Sequence, residues 1–214
     1  MIKIISSYDK NFIELFKISE ASIAEYSNKQ NLEFEIRLVP DDFKIHPSWY
    51  KLDFLLEELQ SEKNFNIDYF LWIDTDAVIL NMDFNMNSII DKNKFLNISK
   101  GFDTMNAGVF ILKKTEMSLD FLRKTKLKTQ YHDHPWLENM GMIDLVFNEK
   151  NSYLENINFV DQKILNAYDY ELYPIFQQRQ KELGQYNDLS FIVHFPGMPK
   201  EEKLKNMKRV KKRF

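Results

Sequence analysis

Short apolar runs alternate with amphipathic stretches through most of this chain. "IKIIS" at residues 2–6 reads as a buried strand, and the polar loop "SYDKN" follows it. Asn11 and Glu14 resemble a capping box, and Phe12, Leu15, Phe16, Ile23 and Tyr26 fall near helical spacing behind it. "LEFEIRLV" at 32–39 alternates apolar and polar residues, as a half-buried strand does, until Pro40-Asp41-Asp42 stops it. His46-Pro47-Ser48 opens a helix predicted to reach about Glu58. "YFLWI" at 69–73 is the next buried strand, with Asp74 and Asp76 at its end. Beyond it the pattern predicts a strand in "NAGVFILKK" (106–114) and a helix in "TEMSLDFLRKT". "HPWLENMGMIDLVFNEK" reads as a helix with Pro135 in its first turn, and "INFVD" and "FIVHF" as short strands. "EEKLKNMKRVKKRF" closes the chain as a basic, mildly amphipathic helix.

A β-α-β-α-β order over the first 76 residues predicts an α/β sheet with parallel strands. Ligands of such sheets bind beyond the carboxyl ends of the strands. Asp9 and the pair Asp74/Asp76 all lie at predicted strand ends, so they are expected near one crevice. Two carboxylates two residues apart repel one another and are costly to bury unpaired. A divalent cation offsets that cost, and Mg²⁺ or Mn²⁺ is commonly held by one or two carboxylates together with substrate phosphates. Read from its residues alone, the D-x-D also fits the first motif of a dehalogenase-type phosphatase, with Asp74 as nucleophile and Asp76 as acid/base. That motif normally sits on a first strand and needs a later acidic motif, which neither Gly101-Phe102-Asp103 nor Gly141-Met142-Ile143-Asp144 provides.

Composition narrows the field. The 214 residues suit one domain, and a formal charge of −3 carries no nucleic-acid signal. The absence of cysteine excludes disulfides, thiol nucleophiles and cysteine metal sites. No apolar run approaches a membrane span and the N-terminus lacks a signal peptide's apolar region, so the expected location is cytoplasmic. His132-x-His134 in "YHDHPW" offers a second metal pair, with a loop capping the next helix as the plainer reading. The closing helix sets Leu204, Met207 and Val210 on one side among bases. It could therefore touch an anionic membrane surface or simply be solvated.

Five stretches then line up in order: "YFLWIDTDAVILN", "MNAGVFILKKTE", "HPWLENMGMIDLV", "VDQKILNAY" and "FIVHFPGMPKEEK". Together they resemble glycosyltransferase family 34, which includes fungal galactosyl- and mannosyltransferases and plant xyloglucan xylosyltransferases. The matching patterns are Y-x-x-W-x-D-x-D, N-x-G-x-F, W-x-E-Q, N-x-Y and H-F-x-G, and the likeness covers roughly residues 2–205. The chain is similar as well to the glycogenin-like family 8. The resemblance implies a single GT-A domain across 1–214, with a mostly parallel mixed sheet. Residues 1–80 would form the nucleotide-binding half, 81–200 the donor-sugar and acceptor half, and 201–214 the basic helix.

It also implies roles. Asp74, Asp76 and His194 would hold Mn²⁺ or Mg²⁺, with Asp74 also meeting the nucleotide ribose of a UDP- or GDP-sugar. Asp9 would meet the nucleobase, Tyr8 would stack nearby, and Lys51 would face the nucleotide, with a surface position as its alternative. Gly197 would admit the diphosphate, and Lys200 or Lys203 would neutralise it, with Lys200 preferred for its distance from the glycine. Asp103 and Asn106 would contact the donor sugar. Glu138 and Asn139 would stabilise the oxocarbenium-like centre, Asn139 standing where the family has Gln. The implied reaction is a metal-dependent, retaining transfer of a hexose or pentose to a hydroxyl of a glycan or glycolipid. The alternatives to this transferase are the dehalogenase-type phosphatase using Asp74 and Asp76 and a non-catalytic nucleotide-sugar-binding module.

Overall fold

The structure, a computed structural model, describes residues 1–100, 104–150, 152–172, 182 and 184–211. Strand β1 (Ile2–Tyr8) pairs in parallel with β2 (Glu33–Leu38) on one side and β3 (Tyr69–Ile73) on the other, as the β-α-β-α-β order predicts. Helices α1 (Ile13–Gln30) and α2 (Tyr50–Gln60) make the two crossovers. Beyond β3 the sheet turns mixed. It continues through β6 (Val109–Lys113), β5 (Leu96–Ser99) and β7 (Ile157–Val160) in the order β2-β1-β3-β6-β5-β7. β6 runs antiparallel to both neighbours, and β5 and β7 are parallel.

The entry to α1 differs from the expected capping box. Asp9 comes first after β1, and its carboxylate accepts the N–H of Asn11 at 2.7 Å, capping a 3₁₀ turn over Lys10–Phe12. Glu14 pairs with Lys17 instead. Leu15, Phe16, Ser19, Ser22, Ile23 and Tyr26 form the helix's buried stripe. Asn31, at φ 54°, ends the helix in the left-handed conformation that Asn tolerates.

The apolar run 69–80 divides between two sheets. β3 ends at Ile73, Ala77 N–H closes a turn on the Asp74 carbonyl at 3.0 Å, and β4 (Ala77–Ile79) begins in another sheet. That second sheet has the order β4-β9-β8, with β8 at Ala167–Tyr168 and β9 at Ile192–His194. Asp74-Thr75-Asp76 is therefore the corner between the sheets, which is why acids interrupt a sequence that is buried on both sides of them.

Helices α3 (Glu116–Lys126) and α4 (Leu137–Ile143) pack with α2 over one face of the large sheet, around Trp49, Phe54, Trp72, Phe110 and Phe121. The predicted long helix from Pro135 is interrupted at both ends. α4 starts only at Leu137, which takes φ 46°, and a π turn over Asp144–Asn148 follows. The short α5 (Gln162–Leu165) leads from β7 to β8. The closing helix α6 (Lys200–Lys211) docks on the body. Met207 and Val210 are fully buried among Leu15, Val78, Leu80, Val193 and Phe195. Met207 and Val210, two of the three residues on the helix's apolar side, are thus committed to the core and are not free to enter a bilayer. Among the described residues no helix is long and apolar enough to cross a membrane.

Candidate active site

The acidic corner is pinned from several directions. Asp74 N–H donates to the Gly108 carbonyl at 2.8 Å, and the Trp72 indole N–H donates to Asp74 Oδ1 at 2.6 Å. The Thr75 hydroxyl donates to the Ser7 carbonyl at 2.7 Å, tying the corner to the end of β1. The Phe195 N–H donates to the Asp76 carbonyl at 3.0 Å. Sheet register then supplies the histidine. β9 runs antiparallel to β4 with His194 opposite Ala77, next to Asp76, and parallel to β8 with His194 beside Tyr168.

A chain of amides orients that ring. Asn106 Nδ2 donates to the Tyr168 hydroxyl at 2.7 Å, and its Oδ1 accepts from Asn166 Nδ2 at 2.9 Å. Asn166 Oδ1 is thus left to accept from His194 Nδ1 at 3.0 Å. With Nδ1 carrying the hydrogen, Nε2 aims its lone pair at Asp76 Oδ1, 3.1 Å away. Two acceptors at that separation need a proton or a metal cation between them. The donor atoms of Asp74, Asp76 and His194 all lie within 4.8 Å of one another, a carboxylate, carboxylate and imidazole set suited to a divalent cation. The residues therefore fit the metal that the fold implies. Gly108 makes room for the ring, since a Cβ there would stand 2.1 Å from His194 Cε1.

Charge is concentrated behind the corner. Lys51 is buried to 1% exposure and reaches Asp74 Oδ1 at 3.0 Å, Glu138 Oε1 at 2.7 Å and the Ala107 carbonyl at 2.8 Å. The Lys203 ammonium meets Asp76 Oδ2 at 2.5 Å. Burial works against charge on Asp76, but His194 and Lys203 outweigh it and hold its pKa below the ordinary carboxylate range. Burial raises the pKa of Asp74, and Asp76 and Glu138 add to the rise against the opposing Lys51. Burial likewise opposes charge on Lys51, and Asp74 and Glu138 overcome it, so its pKa is raised. Three carboxylates thus share two ammonium groups, leaving an excess of negative charge facing the clefts.

Two clefts meet at the acids. The smaller, about 170 Å³, is lined by Tyr8, Asp9, Ser48, Lys51, Asp74, Asp76 and Lys203 among others. The larger, about 430 Å³, is lined by Asn106, Trp136, Glu138, Asn139, His194 and Gly197 among others, and it shares Ser48, Asp74 and Asp76 with the first. The sequence-derived residues fall around them as follows. Tyr8 stacks on Phe16 with ring centroids 3.8 Å apart, which occupies one face of its ring. Lys51 is neither a surface residue nor free: it bridges Asp74 and Glu138. Asn139 Oδ1 accepts the Ala107 N–H at 3.0 Å, bracing the turn before β6. Gly197, at φ 71°, has open space where a Cβ would be. Lys200 is exposed and lies over the Phe12 ring at 5.9 Å, whereas Lys203, one helical turn on, reaches the acids. Asp103 lies outside the described residues. His132 packs edge-on against Trp49, and His134 Nδ1 accepts the Trp136 N–H at 3.0 Å, so both serve the turn before α4 rather than a second metal pair.

Asn166, Tyr168 and Trp136 carry parts of this geometry to which the sequence assigned no role. Asn166 and Tyr168 are the N-x-Y of "VDQKILNAY", so the signal was present as a motif without a partner.

A family model described as the galactosyl transferase GMA12/MNN10 family, glycosyltransferase family 34, matches residues 6–97 and 90–205. No curated protein matches the chain. A crystal structure of a glycosyltransferase involved in the glycosylation of the major capsid of PBCV-1 superposes with TM-score 0.70 at 17% identity, covering 97% of this chain and 98% of that one. The galactosyltransferase LgtC, solved with donor and acceptor sugar analogs, has TM-score 0.64 at 12% identity, covering 98% and 94%. The apo form of glycosyltransferase GlyE of Streptococcus pneumoniae TIGR4 has TM-score 0.58 at 12% identity, covering 98% of this chain and 63% of that one. At these identities the structural likenesses show the fold, and the mixed sheet is that of GT-A enzymes.

Proposed function

The chain belongs to the galactosyl transferase GMA12/MNN10 family, and from that premise we propose that it moves a hexose or pentose from a nucleoside diphosphate sugar to a glycan or glycolipid hydroxyl, with retention. That it is a GT-A glycosyltransferase follows from the family match and the fold. The observation that carries the finer reading is the Asp74/Asp76/His194 donor set, whose two acids line both clefts and whose histidine lines the larger. One cleft suits the nucleotide and the other the sugars.

Asp74, Asp76 and His194 would hold Mn²⁺ or Mg²⁺, which when bound neutralises the diphosphate leaving group as a Lewis acid. Lys203 adds a second positive charge at the same place, released from Asp76 toward the diphosphate. Gly197 lets backbone approach the phosphates without a side chain in the way. Tyr8 and Asp9 line the smaller cleft, where they would meet the nucleobase. Glu138 is held by Lys51 at the floor of the larger cleft, where its negative charge favours an oxocarbenium-like carbon. Asn106 and Asn139 fix the Asn106–Gly108 turn that lines the sugar's position. A phosphatase mechanism fits poorly, because the family match is to glycosyltransferases and the third group beside Asp74 and Asp76 is His194 rather than a later acidic motif.

The test needs no acceptor. Purified protein is incubated with a panel of UDP- and GDP-sugars and Mn²⁺, and nucleoside diphosphate release is measured. The proposal predicts slow hydrolysis of one donor that requires the metal and is lost in Asp76→Ala. Metal-independent release, or release unaffected by Asp76→Ala, contradicts it.

A further inference from the structure

The larger cleft has one wall of a different character. Pro135, Trp136 and Leu137 make an apolar surface, facing a cleft otherwise edged by Asn106, Glu138, Asn139, Asp76 and His194. Trp136 is 52% exposed, while Trp49 and Trp72 are each 1% exposed in the core. An exposed indole is costly in water, yet this one is held in place. The backbone N–H of Trp136 donates to His134 Nδ1 at 3.0 Å, and Tyr131, His134 and Trp136 stand edge to face at 5.7 Å and 5.9 Å between ring centroids. Leu137 beside it takes φ 46°, a conformation a bulky residue keeps only when its surroundings demand it. The turn is thus built to present the ring.

We propose that Trp136 is the platform on which a sugar ring of the acceptor stacks. This rests on the glycosyltransferase reading above. A pyranose has an apolar C–H face, which an indole covers well, and a rim of hydroxyls, which Asn139 and Ser48 can meet from the same cleft. A nucleobase would take the smaller cleft, lined by Tyr8 and Asp9.

The position of the tryptophans supplies the measurement. With two of the three buried, a change in emission that disappears in Trp136→Phe reports this ring alone. Wild-type protein, Trp136→Phe and Trp136→Ala are saturated with nucleoside diphosphate and Mn²⁺, then titrated with methyl glycosides of galactose, mannose, glucose and xylose. Thermal stabilisation by nucleoside diphosphate and Mn²⁺ is recorded for all three, as is the KM of the donor in hydrolysis. The expected result is a glycoside-dependent change in wild-type emission. Glycoside binding weakens roughly five- to tenfold in Trp136→Ala, the scale of one lost aromatic contact, and less in Trp136→Phe. Donor KM and nucleotide stabilisation stay within twofold of wild type. A rise in donor KM in Trp136→Ala overturns the proposal by giving the ring to the donor. Wild-type emission indifferent to every glycoside, with nucleotide stabilisation intact, overturns it while leaving the transferase reading standing. Loss of nucleotide stabilisation in the wild type removes that reading and this proposal together.

Discussion

A methyl group added at Gly108 would overlap His194, with its ring carbon Cε1 at 2.1 Å and Nδ1 at 2.7 Å. The histidine cannot retreat without leaving Asn166 and Asp76. Gly108→Ala is therefore expected to lower Mn²⁺ affinity roughly ten- to a hundredfold, read by titration calorimetry, as loss of an orienting contact does at metal sites. Lys203 and Lys200 give a paired test. Removing the ammonium that meets Asp76, in Lys203→Ala, should weaken nucleoside diphosphate binding by roughly thirtyfold or more, while Lys200→Ala should change it less than about threefold. Equal effects would contradict the placement. Lys51→Met leaves Asp74 and Glu138 buried without their shared cation, and thermal unfolding should show a loss of about 3–5 kcal/mol. At this scale the sequence was informative where a motif names its own chemistry: Asp74, Asp76 and His194 do come together. It was weaker where two lysines on one helix differ only in phase, because which of them faces inward depends on how α6 docks.

The corner at 74–76 shows what an element boundary contributes. β3 and β4 are both fully buried, so hydropathy alone runs them together as one strand. Their separation depends on pairing with β6 and β9, partners distant in sequence that no local window contains. The parallel β1/β2/β3 arrangement was legible because the helices between these strands leave few other connections. The left-handed Leu137 and the turn beyond Ile143 were not, since the residues themselves are ordinary helix formers. Helix α6 belongs to this scale as well. Its Met207 fills a closed part of the core, so Met207→Ala should cost about 2–5 kcal/mol in denaturant unfolding. A loss under about 0.5 kcal/mol, the range of surface substitutions, would show that the helix is not docked as described.

Across the whole molecule, two sheets meet at one acidic corner, and a cleft opens on either side of it. The family match and the GT-A likeness make the chain a glycosyltransferase, and the corner is where donor nucleotide, metal and sugar would converge. The most direct test of that convergence is thermal unfolding with UDP and with GDP, each with and without Mn²⁺, for wild type and Asp76→Ala. One nucleotide with Mn²⁺ should raise the wild-type stability by roughly 2.7 kcal/mol at a hundred times its dissociation constant, a rise absent without the metal and in Asp76→Ala. Stabilisation that ignores Mn²⁺, or that survives in Asp76→Ala, would contradict the account.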